Sequence, residues 1–171
     1  MTDDRPSPIR PTDDEARGLA RKLVSGARIA ALAVTDPETG VPRVSRVAFG
    51  LDAEGTWLTL VSTLATHTAA LRAAPRAGLL LGEPPAKGDP LAFPRLSVEV
   101  EAAFVSRDDP RHAGFRSAWL SHHPKSALYV DFPDFSFVTL TPRAADLNGG
   151  FGKAFRLTAG DLAPADETPE L

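Results

Sequence analysis

The sequence predicts a strand-rich α+β domain in which six or seven strands form a closed or nearly closed antiparallel barrel, with two or three helices in the connections. Apolar and polar residues alternate over several segments, which is typical of strands with one buried face. Sixteen prolines and thirteen glycines among 171 residues indicate many turns. The connections between the strand-like segments are short, which favours antiparallel pairing, and closing the sheet removes exposed edges.

The N-terminal part predicts one helix after a polar segment. Residues 1–11 are polar and rich in proline, so we expect a mobile arm there. Thr12 and Glu15 have the spacing of a capping box, in which each side chain accepts a hydrogen bond from the other residue's backbone N–H. Apolar residues at helical spacing then run to Gly26. We expect the folded domain to span residues 12–160 and a loose acidic tail to cover 161–171.

The remaining elements follow from alternation, helical spacing and breaker residues. The predicted strands cover 28–36, 42–50, 56–62, 77–83, 95–106 and 135–148, and a further pairing segment covers 154–158. The predicted helices cover 64–73 and 106–121, the second with Ser106 as its N-cap. Residues 84–94 hold four prolines and one glycine, which excludes regular structure there.

Composition excludes several classes of protein. The absence of cysteine removes disulfides and thiolate metal sites, and no segment approaches the ~20 apolar residues of a membrane span. We therefore expect a cytoplasmic protein without a membrane partner. The net charge is −3 with both signs interspersed, which argues against nucleic acid as a partner. We expect no metal site, because the only adjacent histidines, His122 and His123, diverge on any regular element.

Hydroxyl and basic side chains gather around one predicted strand–helix junction. They are Arg43, Ser45, Arg46, Ser62, Thr63, Thr66, His67 and Thr68. A helix N-terminus offers unpaired N–H groups, and hydroxyls with one or two cations beside it suit a phosphate. In the alternative interpretation, Ser62 or Thr63 simply caps the helix and the arginines are solvated. The residues alone leave both interpretations open.

Five segments together resemble a known family. They read GVPRVSRVAFG, WLTLVSTLATHTAAL, AAPRAGLLL, GDPLAFPRLSVEVE and HPKSALYVDFPDFSF, followed by the GGFGKA element. In this order they resemble the pyridoxamine 5′-phosphate oxidase-like FMN-binding split barrels, and most closely the haem-utilisation branch. The resemblance covers about residues 14 to 158. It implies a six-stranded antiparallel split β-barrel, a homodimer, and FMN in a groove shared by the two subunits.

The resemblance also implies which residues bind the cofactor. Matched by motif, these are Arg43 and Ser45 beside the flavin, Ser62, His67 and Thr68 at the ribityl phosphate, and Arg95, Phe151 and Lys153 for further contacts, the last two toward the neighbouring subunit's flavin. No catalytic side chain is expected, because the flavin itself carries hydride or electrons. The sequence also contains no Walker loop, G-x-S-x-G elbow or H-E-x-x-H motif.

Three functional hypotheses follow. The first is an FMN-dependent oxidoreductase acting on a small molecule that the sequence does not identify. The second is a haem-binding or haem-degrading protein on the same barrel, and the third is a flavin or ligand sensor without turnover. The C-terminal Arg/His signature of the pyridoxamine-phosphate oxidases is not found after Gly152, which disfavours vitamin B6 oxidation. The last histidine is His123, whereas haem-utilisation members carry a haem-ligating histidine in a C-terminal region, so flavin is favoured over haem.

Overall fold

The computed structural model describes residues 9–150 and 152–164. It is a strand-rich α+β fold, as predicted, with three α-helices and a sheet of nine strands. The helices are α1 (Asp14–Gly26), α2 (Thr66–Ala73) and α3 (His112–His122). The strands are β1 (Ile9–Arg10), β2 (Ile29–Thr35), β3 (Pro42–Ala48), β4 (Gly50–Leu51), β5 (Trp57–Ser62), β6 (Arg76–Leu81), β7 (Arg95–Phe104), β8 (Phe135–Asn148) and β9 (Ala154–Thr158).

The nine-stranded sheet is not closed, and the expected six-stranded antiparallel split β-barrel is not confirmed. Its main order is β1-β9-β8-β7-β6-β2-β3, while β5 pairs with β8 and β4 pairs with β5. All pairings are antiparallel except that of β1 with β9. The predicted strand 42–50 is divided at Phe49, whose backbone N–H donates to the carbonyl of Arg28 over 2.9 Å. The two-residue β4 pairs with β5, and the Thr59 hydroxyl of β5 donates to the carbonyl of Ala48, the last residue of β3, at 2.8 Å.

Helix α1 begins one residue later than a capping box at Thr12 would require. Asp13 is the N-cap, and its Oδ1 accepts the backbone N–H of Ala16 at 2.8 Å. Thr12 instead donates its hydroxyl to the carbonyl of Arg156, 2.7 Å away, and Glu15 forms an ion pair with Lys153. The capping-box prediction was wrong because aspartate is an equally good N-cap. Just before this helix, β1 pairs with β9 within the segment expected to be a mobile arm.

The region before α3 also differs from the prediction. The helix starts at His112 rather than at Ser106, and residues 106–111 form turns. The Asp109 carboxylate stabilises them by accepting hydrogen bonds from both the backbone N–H and the guanidinium of Arg111.

Short 3₁₀ turns occupy Pro90–Ala92, inside the predicted irregular loop, and Pro124–Leu128.

The core lies between the sheet and the helices and holds the β5–α2 connection in place. Leu32, Leu79 and Leu140 are fully buried in its main cluster, and Ala70 and Leu71 bring α2 onto the same cluster. A second cluster under α3 contains Trp119 and Phe137. Trp57 is also buried, so both tryptophans are core residues.

Candidate functional site

Strand β5 and helix α2 are tied together at the junction that the sequence singled out. Thr68, in the first turn of α2, is buried and donates its hydroxyl to the carbonyl of Ser62, the last residue of β5, over 2.6 Å. The same carbonyl accepts the N–H of Ala65 at 3.1 Å. Ser62 and Thr68 are therefore joined at this junction, and the Thr68 hydroxyl already uses its single proton within the protein.

Ser62 has a partner that the sequence analysis missed. Its Oγ donates to Oδ2 of Asp134 at 2.7 Å, and it accepts the N–H of Leu64 at 3.1 Å. The backbone carbonyl of Asp134 accepts the N–H of Thr63 at 2.8 Å. Asp134 precedes β8, and β8 pairs with β5 so that Phe135 lies opposite Ser62. That strand pairing is the signal that would have found Asp134.

The first turn of α2 has no side-chain cap. Its N-cap residue is Ala65, so the interpretation in which Ser62 or Thr63 caps the helix is wrong. The Oγ of Ser62 accepts the backbone N–H of Leu64, which lies before the helix. The N-terminus of α2 carries a partial positive charge that attracts anions, although the Thr68 N–H is already donated to the carbonyl of Ala65 at 3.0 Å.

His67 lies half-buried in this first turn. Burial lowers the pKa of its imidazole below the ordinary value of 6.5, so the ring is neutral at neutral pH. Within residues 9–150 and 152–164, no hydrogen bond is made by either ring nitrogen of His67. A neutral imidazole with a free nitrogen is suited to metal ligation and less suited to holding a phosphate as a cation.

Arg43 and Ser45 lie on β3. The Nε of Arg43 donates to Oδ2 of Asp36 at 2.6 Å. Backbone hydrogen bonding from Thr39 and the guanidinium of Arg43 lower the pKa of Asp36 to about 2. Arg43 is thus engaged at the β2–β3 turn, while Ser45 is half-buried and lies opposite Leu32 of β2.

Arg95 and Lys153 lie at the other end of β8 from Ser62. Arg95 is in register with Asn148, the last residue of β8, and donates its Nη1 to the carbonyl of Leu91 at 3.0 Å. Lys153 precedes β9 and forms an ion pair with Glu15, 3.2 Å apart. Phe151 lies outside the described residues. The predicted cofactor residues thus fall into three groups, and one subunit does not bring them together.

Over the described ranges, no three histidine or acidic side chains converge as a metal site. The helices of the same ranges include none that is long and apolar enough to cross a membrane.

Comparisons with known proteins identify relatives over most of the chain. The chloroplastic non-canonical heme oxygenase HOZ of Arabidopsis thaliana is 40% identical over 124 residues, which are 72% of this chain and 36% of that protein. A heme binding protein from Mycobacterium smegmatis superposes with a TM-score of 0.77 at 29% identity, covering 92% of this chain and 60% of that one. A protein of unknown function from Agrobacterium tumefaciens also gives a TM-score of 0.77 at 29% identity, with 94% and 66% covered.

This chain spans about a third of the length of HOZ and 60% of the Mycobacterium smegmatis protein. The family of the chain is shown by a separate match to a family model. The family model described as pyridoxamine 5′-phosphate oxidase matches residues 17–148, well over half of the chain. The resemblance stated from the sequence motifs is thereby confirmed, and the chain belongs to the pyridoxamine 5′-phosphate oxidase family.

Proposed function

We propose that this protein binds haem at the β5–α2 junction and takes part in haem breakdown. The observation that carries the proposal is the half-buried imidazole of His67 in the first turn of α2, which makes no hydrogen bond among the described residues. Leu64, 87% exposed just before α2, offers apolar surface beside it. The similarity to the heme oxygenase HOZ and to the Mycobacterium smegmatis heme binding protein supports the same ligand. Bound haem would supply the one-electron and oxygen chemistry, and the protein would place and shield it.

Two of the other three histidines, His112 and His123, are less suited to ligate haem, because each is held by contacts of its own. His123 is already bonded to the carbonyl of Phe49 and lies against Trp119, with 4.4 Å between the ring centroids. His112 packs edge-on against Phe137 at 5.4 Å. These contacts would have to break before either ring could reach an iron, whereas His67 breaks none within the described residues.

Haemin titration of the purified protein tests the proposal. We expect a Soret band that saturates with haemin, and we expect His67→Ala to shift or weaken it. His112→Ala is the matched control and should leave the band unchanged. Haem binding at this site would be excluded if the natural protein gave no saturable band, or if both variants gave the same spectrum as the natural protein.

A flavoprotein is the second candidate function. Membership of the pyridoxamine 5′-phosphate oxidase family and the uncapped N-terminus of α2 favour FMN, with an oxidoreductase acting on a small molecule as the activity. Flavin absorption in the purified protein would support this candidate. Reduction of the bound flavin by NAD(P)H would then separate an enzyme from a flavin or ligand sensor without turnover.

Either ligand would be held between two copies of the chain. The grouping of Arg95 and Lys153 at one end of β8, with Ser62 at the other, favours a site completed by a second subunit.

An apolar strip crosses three neighbouring strands, where Val44, Ala33 and Gly78 lie in register. Val44 is 69% exposed, so this strip offers apolar area that a second copy of the chain could cover. By contrast, Trp57 and Phe137 are buried within one chain, so neither side chain is available to a dimer interface.

A further inference from the structure

The Asp134 carboxylate accepts the hydrogen bond from the Ser62 hydroxyl that a phosphate at this junction would need. Ser62 carries one hydroxyl proton, and it is donated to Oδ2 of Asp134 at 2.7 Å. Thr68 donates its own proton to the Ser62 carbonyl. Two of the three side chains expected at the phosphate therefore have no proton left to donate, and a phosphate there would have to displace Asp134 or lie against it.

The negative charge of Asp134 is not neutralised by its surroundings. Among the described residues no cation forms an ion pair with this carboxylate. The nearby Arg107 directs its Nη2 to the carbonyls of Asp131, Phe132 and Phe135. Arg116 makes a two-point contact with the Asp131 carboxylate.

His67 does not offset this charge. Its ring is neutral in the folded protein, because burial lowers the pKa of the imidazole. The partial charge at the N-terminus of α2 is then the remaining attraction for an anion at this place. A phosphate dianion beside an unpaired carboxylate meets like-charge repulsion, which is costly where both groups are partly removed from water.

We propose that Asp134 is a specificity-determining residue that excludes phosphate-bearing ligands such as FMN from the β5–α2 junction and leaves it to ligands without a phosphate there. The inference rests on the junction being the ligand site, as in the proposed function. It explains why a chain that belongs to the pyridoxamine 5′-phosphate oxidase family is similar to a heme oxygenase and to a heme binding protein.

Flavin titrations of the full chain test the role of Asp134. In Asp134→Asn the amide oxygen still accepts the Ser62 hydroxyl while the negative charge is lost. We expect the FMN dissociation constant to fall by about tenfold or more. We expect riboflavin, which has the same ring and no phosphate, to change by less than about twofold, because it never meets the charge.

Asp131→Asn is the matched control, since it removes the same charge three residues earlier, where the carboxylate contacts Arg116. The ratio of FMN to riboflavin affinity should stay unchanged in that variant. An unchanged ratio in Asp134→Asn, an equal shift in Asp131→Asn, or no FMN binding to any variant would each overturn the inference. Haemin titration of the same proteins tests the two proposals separately. If the natural protein gave no Soret band, the haem proposal would fail, while the ratio of FMN to riboflavin affinity would still test the role of Asp134.

Discussion

His123 and Phe49 are joined by a hydrogen bond between the imidazole Nε2 and the backbone carbonyl oxygen, 2.8 Å apart, across 74 residues of sequence. Since a carbonyl can only accept, Nε2 carries the proton in the neutral ring. Phe49 is the residue that divides β3 from β4, and its ring packs edge-on against Trp57 at 5.5 Å. The contact therefore fixes the break in the sheet to the end of α3.

This contact predicts a loss of stability in mild acid. Burial, aided by the charges of Arg28 and His122, lowers the pKa of His123 below 6.5, while the hydrogen bond to Phe49 partly opposes the shift. A histidine with a lowered folded-state pKa contributes stability above its unfolded pKa and loses it as the pH falls through the folded value. We expect the melting temperature to decline as the pH falls from about 7 to about 5, and to decline less in His123→Gln.

Thermal melts of both proteins at a series of pH values measure this difference. Asp36, Asp109 and Asp161 do not obscure it, because their pKa values are lowered to about 2 and they titrate below this range. Equal slopes for the natural protein and His123→Gln would show that His123 does not set the acid sensitivity.

The hydroxyl of Thr68 is expected to stabilise the β5–α2 junction measurably. Thr68→Val keeps the shape of the side chain and deletes its hydrogen bond to Ser62. We expect the free energy of unfolding to fall by about 1–2 kcal/mol, because a buried bond is lost while the Ser62 carbonyl keeps its contact with Ala65. Urea unfolding measures the change. Thr66→Val, at an exposed position in the same turn, should stay within about 0.5 kcal/mol of the natural protein.

The sequence predicted local features well and distant contacts poorly. The spans of β8 and β9 agree with their predictions, because alternation and the flanking turns are local signals. The break at Phe49 was not predictable, since a buried phenylalanine continues the apolar pattern and only its N–H turns away, toward Arg28. Ser62 and Thr68 were placed together because they are close in sequence, whereas Asp134 is 72 residues from Ser62 and required the register of β5 with β8.

Replacing His67 with lysine separates the two candidate ligands. An ammonium stays charged to about pH 10, so it supplies the cation that the neutral imidazole does not. We expect His67→Lys to lose or shift the haem Soret band and to bind FMN more tightly than the natural protein does, with riboflavin affinity unchanged. Haemin and flavin titrations at about pH 7.5 give both readouts. A full Soret band in the variant would exclude His67 as the haem ligand.

FMN affinity of the natural protein should also depend on pH if His67 contacts the phosphate as a cation. A bound dianion would raise the pKa of His67 from its lowered position, so affinity would be greatest in mild acid and would decline as the pH rises past the raised value. The lysine variant should show a flatter profile over the same range. Affinity of the natural protein that does not change with pH would contradict a charged contact.

The proposed homodimer should dissociate when a charge is placed on β3. Val44→Asp places a charge on the apolar strip formed by Val44, Ala33 and Gly78, so we expect it to convert the dimer into a monomer of 18.2 kDa. An obligate interface would bury more than about 2,000 Å², and a charge without a partner inside it is costly. Sedimentation at micromolar concentration distinguishes the two states. Leu128→Asp is the control, because Leu128 is 78% exposed and belongs to the turn after α3 rather than to the strands that carry the strip. A natural protein that sediments as a monomer would remove the shared site, and dissociation by both variants would place the interface elsewhere than on β3.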